Sequence, residues 1–286
     1  MFNYPSRAWR FFRRAGWARP ELYRRVGIWR RGIDCAELAY DVWIGGFPRS
    51  ANTYAQQALL LANPSLRVRG HCHLPPEIIY ALEQGKPGFM LVRNPEDAVA
   101  SAALLWEGNL HRAADYYIDF HRVLRPYLPE LMVVSFELVT ASFDSVVRAF
   151  NRRYGADFGL MGQGFERVEQ CFRRVEQAMF CDQGKVNELL VCRPSAERAR
   201  IKPSLVGRLR SEPKLIQRMQ EANQLYREFK AGCVEPALEP DIVHPSKPRE
   251  VEGLSLKAKR GLQNEDGGVG NSGGAARVQD SLQAGL

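Results

Sequence analysis

Nine consecutive residues, Gly46-Phe47-Pro48-Arg49-Ser50-Ala51-Asn52-Thr53-Tyr54, constrain this chain more than any other segment. They follow the short apolar run Val42-Trp43-Ile44 and lead straight into a helical pattern, Ala55-Gln56-Gln57-Ala58-Leu59-Leu60-Leu61. A buried-looking strand, a tight turn of small polar residues and a helix start together make a strand–turn–helix unit of an α/β fold. Free backbone N–H groups and the positive end of the helix dipole converge at such a junction, and Ser and Thr hydroxyls add donors. Arg49 adds a permanent positive charge. The segment suits a phosphate or a sulfate.

It differs from the loop that binds nucleoside triphosphates. That loop, G-x-x-x-x-G-K-[ST], needs a second glycine and a lysine, and both are missing here. The associated chemistry also needs a carboxylate after a later strand to hold magnesium. The next apolar strand pattern, Gly88-Phe89-Met90-Leu91-Val92, runs instead into Arg93-Asn94-Pro95. A cation in that place points to a second anion contact. Pro95, Glu96 and Asp97 then suit the first turn of a helix, and Ala98, Val99, Ala102 and Leu105 recur at helical spacing. Ser101 lies two turns into this helix. Arg93 and Ser101 can flank one ligand group if it sits at the carboxyl end of the strand, where open α/β sheets bind ligands.

With these residues in view the chain resembles the sulfotransferase family, enzymes that use 3'-phosphoadenosine 5'-phosphosulfate (PAPS), in a bacterial-type form. Pro48-Arg49-Ser50-Ala51-Asn52-Thr53-Tyr54 is similar to the family's 5'-phosphosulfate loop, P-[KR]-S-G-T-T-[WY]. Arg93-Asn94-Pro95-Glu96-Asp97 with Ser101 is similar to its 3'-phosphate motif, and His71-Cys72-His73-Leu74-Pro75 to its K-T-H-L-P segment. The three occur in the family's order within roughly residues 40 to 155. Ala51 stands where the family has glycine, Asn52 where it has threonine, and His71 where it has lysine. The family's C-terminal R-K-G-x-x-G-D-W-K segment is absent. The resemblance implies that Arg49, Ser50, Ala51, Asn52 and Thr53 hold the 5'-phosphosulfate. It implies that Arg93 and Ser101 hold the 3'-phosphate, that Tyr54 touches adenine, and that His73 is the catalytic base assisted by Arg49. Arg193, Ser195 and Arg198, at a helix-opening signal, are the candidates to replace the missing segment. No metal is required in this chemistry.

His73 has a case of its own. Transfer to a hydroxyl needs a base, and histidine titrates near neutral pH. Ser65-Leu66-Arg67-Val68-Arg69-Gly70 reads as a strand with a glycine stop, leaving His71 and His73 on one face just past its end. Two alternating histidines could also bind a metal, but no third ligand follows at a recognisable spacing.

The expected architecture is a three-layer, P-loop-like parallel sheet flanked by helices, with a helical C-terminal part. Residues 1–40 form a basic segment in which arginines alternate with aromatics, residues 41–232 the α/β domain, and residues 233–286 a disordered tail rich in proline, charge and glycine. Residues 1–20 suit either packing against the domain or peripheral membrane contact. Phe165 to Met179 and Pro213 to Phe229 read as helices, and Leu131 to Ser135 as a strand. Phe136-Glu137 is similar to the family's structural Y-E dipeptide, which gives Glu137 a bracing role. Glu107 to Tyr117 and Gly159 to Phe165 are candidate lids.

The net charge of +8 suits a polyanionic cofactor, though it would also suit RNA or an anionic membrane. The 6 cysteines show no zinc spacing and no C-x-x-C pair, and with no secretory signal they read as reduced thiols of a cytoplasmic protein. The expected partner is a small-molecule or glycan acceptor, with no specific nucleic acid. Two other functions fit the same residues: a kinase-like P-loop transferase, which would need magnesium, and a non-catalytic protein that binds polyanions.

Overall fold

The computed structural model describes residues 15–17, 19, 21, 25, 39–162, 164–178, 181–182 and 185–235. The tail expected beyond residue 235, and most of the basic N-terminal segment with its expected membrane contact, lie outside the described residues. Four strands, β1 (Val42–Gly46), β2 (Val68–Cys72), β3 (Gly88–Val92) and β4 (Val133–Ser135), pair in parallel in the order β2-β1-β3-β4. The expected α/β architecture is the observed one. Each crossover carries a helix: α1 (Asn52–Ala62), α2 (Pro75–Glu83), then α3 (Pro95–Ala103) with α4 (Leu110–Leu124). Beyond β4 come α5 (Phe136–Ala141), α6 (Phe143–Tyr154), α7 (Phe165–Ala178), a short antiparallel pair β5 (Cys181–Asp182) and β6 (Lys185–Val186), α8 (Ala196–Ser211) and α9 (Pro213–Ala231).

The two central strands are buried along their whole length. Alternate side chains therefore fill two separate cores, which makes the sheet the middle of three layers. Val42, Ile44, Phe89, Leu91, Met132 and Val134 pack with Ala55 and Leu59 of α1 and Val147 and Phe150 of α6. Trp43, Met90, Val92 and Val133 pack on the opposite face with Ile78 of α2, Tyr117 and Phe120 of α4 and Phe229 of α9. Trp43 explains one glycine: a Cβ on Gly88 would lie 2.2 Å from the indole. The indole N–H donates to the Lys86 carbonyl oxygen (2.9 Å), which fixes the ring across the end of β3.

Polar contacts fasten the C-terminal helices to the second core. Arg210 and Lys202 of α8 pair with Glu96 (2.7 Å) and Asp97 in the first turn of α3. Arg218 of α9 pairs with the buried Asp115 of α4 (2.8 Å). The Val234 N–H donates to the Val133 carbonyl oxygen (2.9 Å), so the described fold runs past the expected boundary at 232.

Several local expectations need correcting. The second strand does not stop at Gly70 but runs through Cys72. Gly70 is a point of close approach instead, where a Cβ would lie 2.2 Å from the Gln56 side chain. Tyr116 and Tyr117, in one expected lid, are buried in α4. The other lid segment is pinned, because the Met161 and Gly162 N–H groups donate to the Asp144 carboxylate (2.9 and 3.1 Å). Glu137 is exposed and pairs with Lys230 (3.3 Å), so its bracing is between α5 and α9 at the surface rather than in the core. Trp17 does pack on the domain, its ring edge-on to Tyr116 at 5.2 Å.

Candidate anion-binding site

The chain leaves β1 toward β2 on one side and later returns to β3 on the other, so a crevice opens at the carboxyl ends of β1 and β3. The loop after β1 is tightly constrained there. Gly46 has φ 149, and a Cβ on it would lie 2.6 Å from the Leu91 carbonyl oxygen. Phe47 anchors the loop by packing on Tyr117 (4.9 Å). Arg49 (φ 69) and Ala51 (φ 71) both adopt left-handed backbone, a conformation that costs a non-glycine residue about 1 kcal/mol.

Helix α1 starts at Asn52 with no side-chain cap and no acid in its first turn. Around this start several buried polar atoms lack partners. Ser50 Oγ, Asn52 Oδ1 and Arg93 Nε have none, although Asn52 Nδ2 donates to the Phe47 carbonyl oxygen (3.1 Å). An unpartnered buried polar group costs about 1–3 kcal/mol, and such groups mark a place where a ligand can supply the bond.

Three arginines converge on the same place. Arg49 Nε donates to Ser101 Oγ (3.1 Å), joining the residues expected at the two phosphates. Its other nitrogens donate to the carbonyl oxygens of Leu190 (2.6 Å) and Val191 (2.9 Å) and reach Cys192 Sγ (3.4 Å). Arg93 Nη1 donates to the Arg49 carbonyl oxygen (2.7 Å), and its guanidinium lies 4.0 Å over the Phe136 ring. Arg198 donates to the same Val191 oxygen (2.6 Å) and to the Arg193 oxygen. Among the described residues none of these three guanidiniums has a carboxylate within ion-pair distance. Burial pushes all three below the usual arginine range. At Arg93 the attraction of Asp97 outweighs the repulsion of Arg49, with Glu137 adding a smaller attraction, and Arg198 falls to about 10 with Arg49 and Arg93 adding repulsion. A partly buried cluster of like charges held by neutral carbonyls favours an incoming anion.

Not every residue expected at the site faces it. Arg193 is held by Glu176 and Glu188 (2.7 Å to the latter), which raises its affinity for its proton and occupies its guanidinium. Ser195 caps α8, accepting from the Arg198 N–H (3.4 Å). Tyr54 is turned into the first core between Phe143 (6.4 Å) and Phe172 (5.6 Å), so its ring packs there rather than presenting itself to an adenine. Thr53 is buried in the first turn of α1. The carbonyl oxygens of Leu190 and Val191, and Cys192, enter the site without any sequence signal. Phe136 could have been foreseen, since it directly follows β4, which pairs beside β3.

His73 follows β2 at the rim of the crevice. Its Nδ1 lies 2.8 Å from the Gly46 carbonyl oxygen, which can only accept, so the neutral ring carries its proton on Nδ1 and leaves Nε2 basic. The Tyr116 hydroxyl donates to the His73 carbonyl oxygen (3.0 Å). Burial lowers the affinity of His73 for a further proton, with the Gly46 bond opposing, so the ring is neutral at physiological pH. Its Nε2 is 3.4 Å from Nδ1 of His71, which burial first and His73 second push down to about 3. No cluster of three or more His, Cys, Asp or Glu side chains suited to a metal occurs among the described residues, and none of their helices is long and apolar enough to cross a membrane.

No protein-family model matches the chain, and no curated protein matches it. Among solved structures it is similar to mouse sulfotransferase SULT7A1 complexed with PAP. The TM-score is 0.37 and the identity 11%, over 63% of this chain and 88% of that one.

Proposed function

We propose that this protein is a PAPS-dependent sulfotransferase. One observation carries the reading: Arg49, Arg93 and Arg198 converge, without an ion-paired carboxylate among the described residues, beside the uncapped start of α1 and the unpartnered Ser50 and Asn52 oxygens. Arg49 and Arg93 come from the ends of two neighbouring strands, as two separate anionic groups on one ligand would require. When bound, PAPS supplies the sulfuryl group and a phosphate that can leave with negative charge.

In this reading Ser50, Asn52, Thr53 and the first N–H groups of α1 bind the 5' end, with Arg49 stabilising the charge that builds on the leaving oxygen. Arg93, Ser101 and Arg198 bind the 3'-phosphate, Arg198 doing what the absent C-terminal motif does in the family. Arg193 and Ser195 position Arg198 by fixing the start of α8. His73 accepts the proton of the acceptor hydroxyl on Nε2, the nitrogen left unprotonated by the Gly46 bond. The acceptor class is a small molecule or glycan reached from the His73 side of the crevice.

Calorimetric titration with 3'-phosphoadenosine 5'-phosphate (PAP), beside 5'-AMP and magnesium–ATP, tests the reading. A preference for PAP of at least about tenfold, lost in Arg93→Ala, is the expected result. Equal binding of 5'-AMP, or tighter binding of magnesium–ATP, would replace it with the kinase-like alternative. Salt-sensitive binding of any polyanion without preference for the 3'-phosphate would favour the non-catalytic one.

A further inference from the structure

We infer that His71 and His73 work as a two-imidazole base, with His71 the positioning residue that takes on the proton His73 removes from the acceptor; this rests on the sulfotransferase reading of His73. The backbone brings the two rings together by an unusual route. The His73 N–H donates to the His71 carbonyl oxygen (2.7 Å), closing a three-residue turn. His71 itself sits at φ 60, in the left-handed region, at the end of a strand. A side chain other than glycine, asparagine or aspartate is uncommon there. The strained turn sets Nδ1 of His71 3.4 Å from Nε2 of His73, with the rings inclined at 67°.

The chemistry follows from the Gly46 bond. Because Nδ1 of His73 is committed to a carbonyl, every proton that His73 gains must arrive at Nε2, facing His71. With both rings neutral, His71 carries its proton on Nε2, so Nδ1 of His71 and Nε2 of His73 are both unprotonated and Nε2 of His73 can take the acceptor's proton. Once His73 is protonated, its Nε2–H donates to Nδ1 of His71. The proton then passes to His71 Nδ1 as Nε2–H of His71 is released to water; His73 returns to its starting form, and His71 recovers its own by exchanging the Nδ1 proton for one on Nε2 through water. The N–H⁺···N bond forms only when the pair holds a proton, so the pair binds its first proton more tightly than either ring alone and resists a second. The titratable groups beside the pair on the adjoining elements include the Tyr116 hydroxyl of α4, on the His73 carbonyl oxygen (3.0 Å), the Arg69–Glu77 pair between β2 and α2 (3.4 Å), and the Cys72 thiol, near the Arg69 carbonyl oxygen (3.8 Å). None of these contacts occupies a ring nitrogen of the pair.

The test is a pH titration of ¹⁵N-histidine-labelled full chain by NMR, assigned with His71→Asn and His73→Asn. Asparagine tolerates the left-handed backbone at 71. The nitrogens of both rings should shift together in one step as the pH falls, and His71→Asn should weaken proton uptake by His73 about tenfold. Separate titration of the two rings in the wild type, or a change below about twofold in His71→Asn, overturns the pair; the wild-type titration alone decides this if the variant fails to fold. PAP calorimetry on the same samples separates the histidine pair from the sulfotransferase activity on which it rests. Intact PAP binding with uncoupled rings removes only the pair. Absence of PAP binding by the wild type removes the sulfotransferase reading itself and with it the catalytic role of both histidines.

Discussion

Replacing Arg198 by methionine separates a binding role from a structural one, because the first lowers PAP affinity and the second lowers stability. Arg198 is half-buried, makes no ion pair among the described residues, and is depressed from 12.5 to about 10 by burial and by Arg49 and Arg93. Before screening, that shift corresponds to about 3 kcal/mol of disfavoured charge at neutral pH. Solvent reaches the half-exposed guanidinium and reduces this to about 1 kcal/mol. Methionine removes that cost but also the bonds to the Val191 and Arg193 oxygens, about 1 kcal/mol each. The free protein should therefore stay within about 1 kcal/mol of wild type, a Tm change of roughly 2–4 °C. PAP binding should fall much further, since a charged hydrogen bond to phosphate is worth about 1.5–3 kcal/mol, or roughly 10- to 150-fold. Thermal unfolding and calorimetry on the same preparation give both numbers. Unchanged PAP affinity, or a stability loss above about 3 kcal/mol, would refute the argument that this cluster is held open for an anion.

His73→Asn should abolish turnover of PAPS by roughly 10²–10⁴-fold while PAP affinity stays within threefold, measured by PAP release and calorimetry. His121 is buried with Nε2 unpartnered and is pushed down to about 4 by burial, so it stays neutral in the fold while the unfolded chain protonates near 6.5. Its contribution is present above pH 6.5 and lost as the pH falls from 6.5 toward 4. His121→Leu should thus gain about 2 kcal/mol more at pH 5 than at pH 8 in denaturant unfolding, and an equal gain at both would contradict the linkage. Ala51→Gly should relieve the left-handed strain and leave stability unchanged or up to about 1 kcal/mol higher; a clear loss would mean the Ala51 methyl contributes to packing. Arg193→Ala should weaken PAP binding less than Arg198→Met does, since Glu176 and Glu188 already occupy its guanidinium.

Much of this is legible in the sequence alone. Patterns of period two and 3.6 are local, so the strand–turn–helix units around Gly46 and Arg93, and the helices beginning at Phe165 and Pro213, could be read directly. The same is true of the residues that end the two central strands, because an open parallel sheet brings those ends to one crevice. What tertiary structure decided were the directions of side chains and the partners they find at long range. Tyr54 and Arg193 occupy positions that read like ligand contacts. Which way a ring or a guanidinium turns depends on distant neighbours, Phe172 for Tyr54 and Glu176 for Arg193. The Leu190 and Val191 oxygens that hold Arg49 are backbone atoms, which every residue carries, and so leave no mark in the sequence. Gly70 could be seen as a break but not as the place where Gln56 presses on the strand. The pairing of His71 with His73 needed the positive φ of His71, which two alternating histidines do not announce. Sequence periodicity determines which residues reach the crevice; packing between elements distant in the chain determines which of them are free to act there.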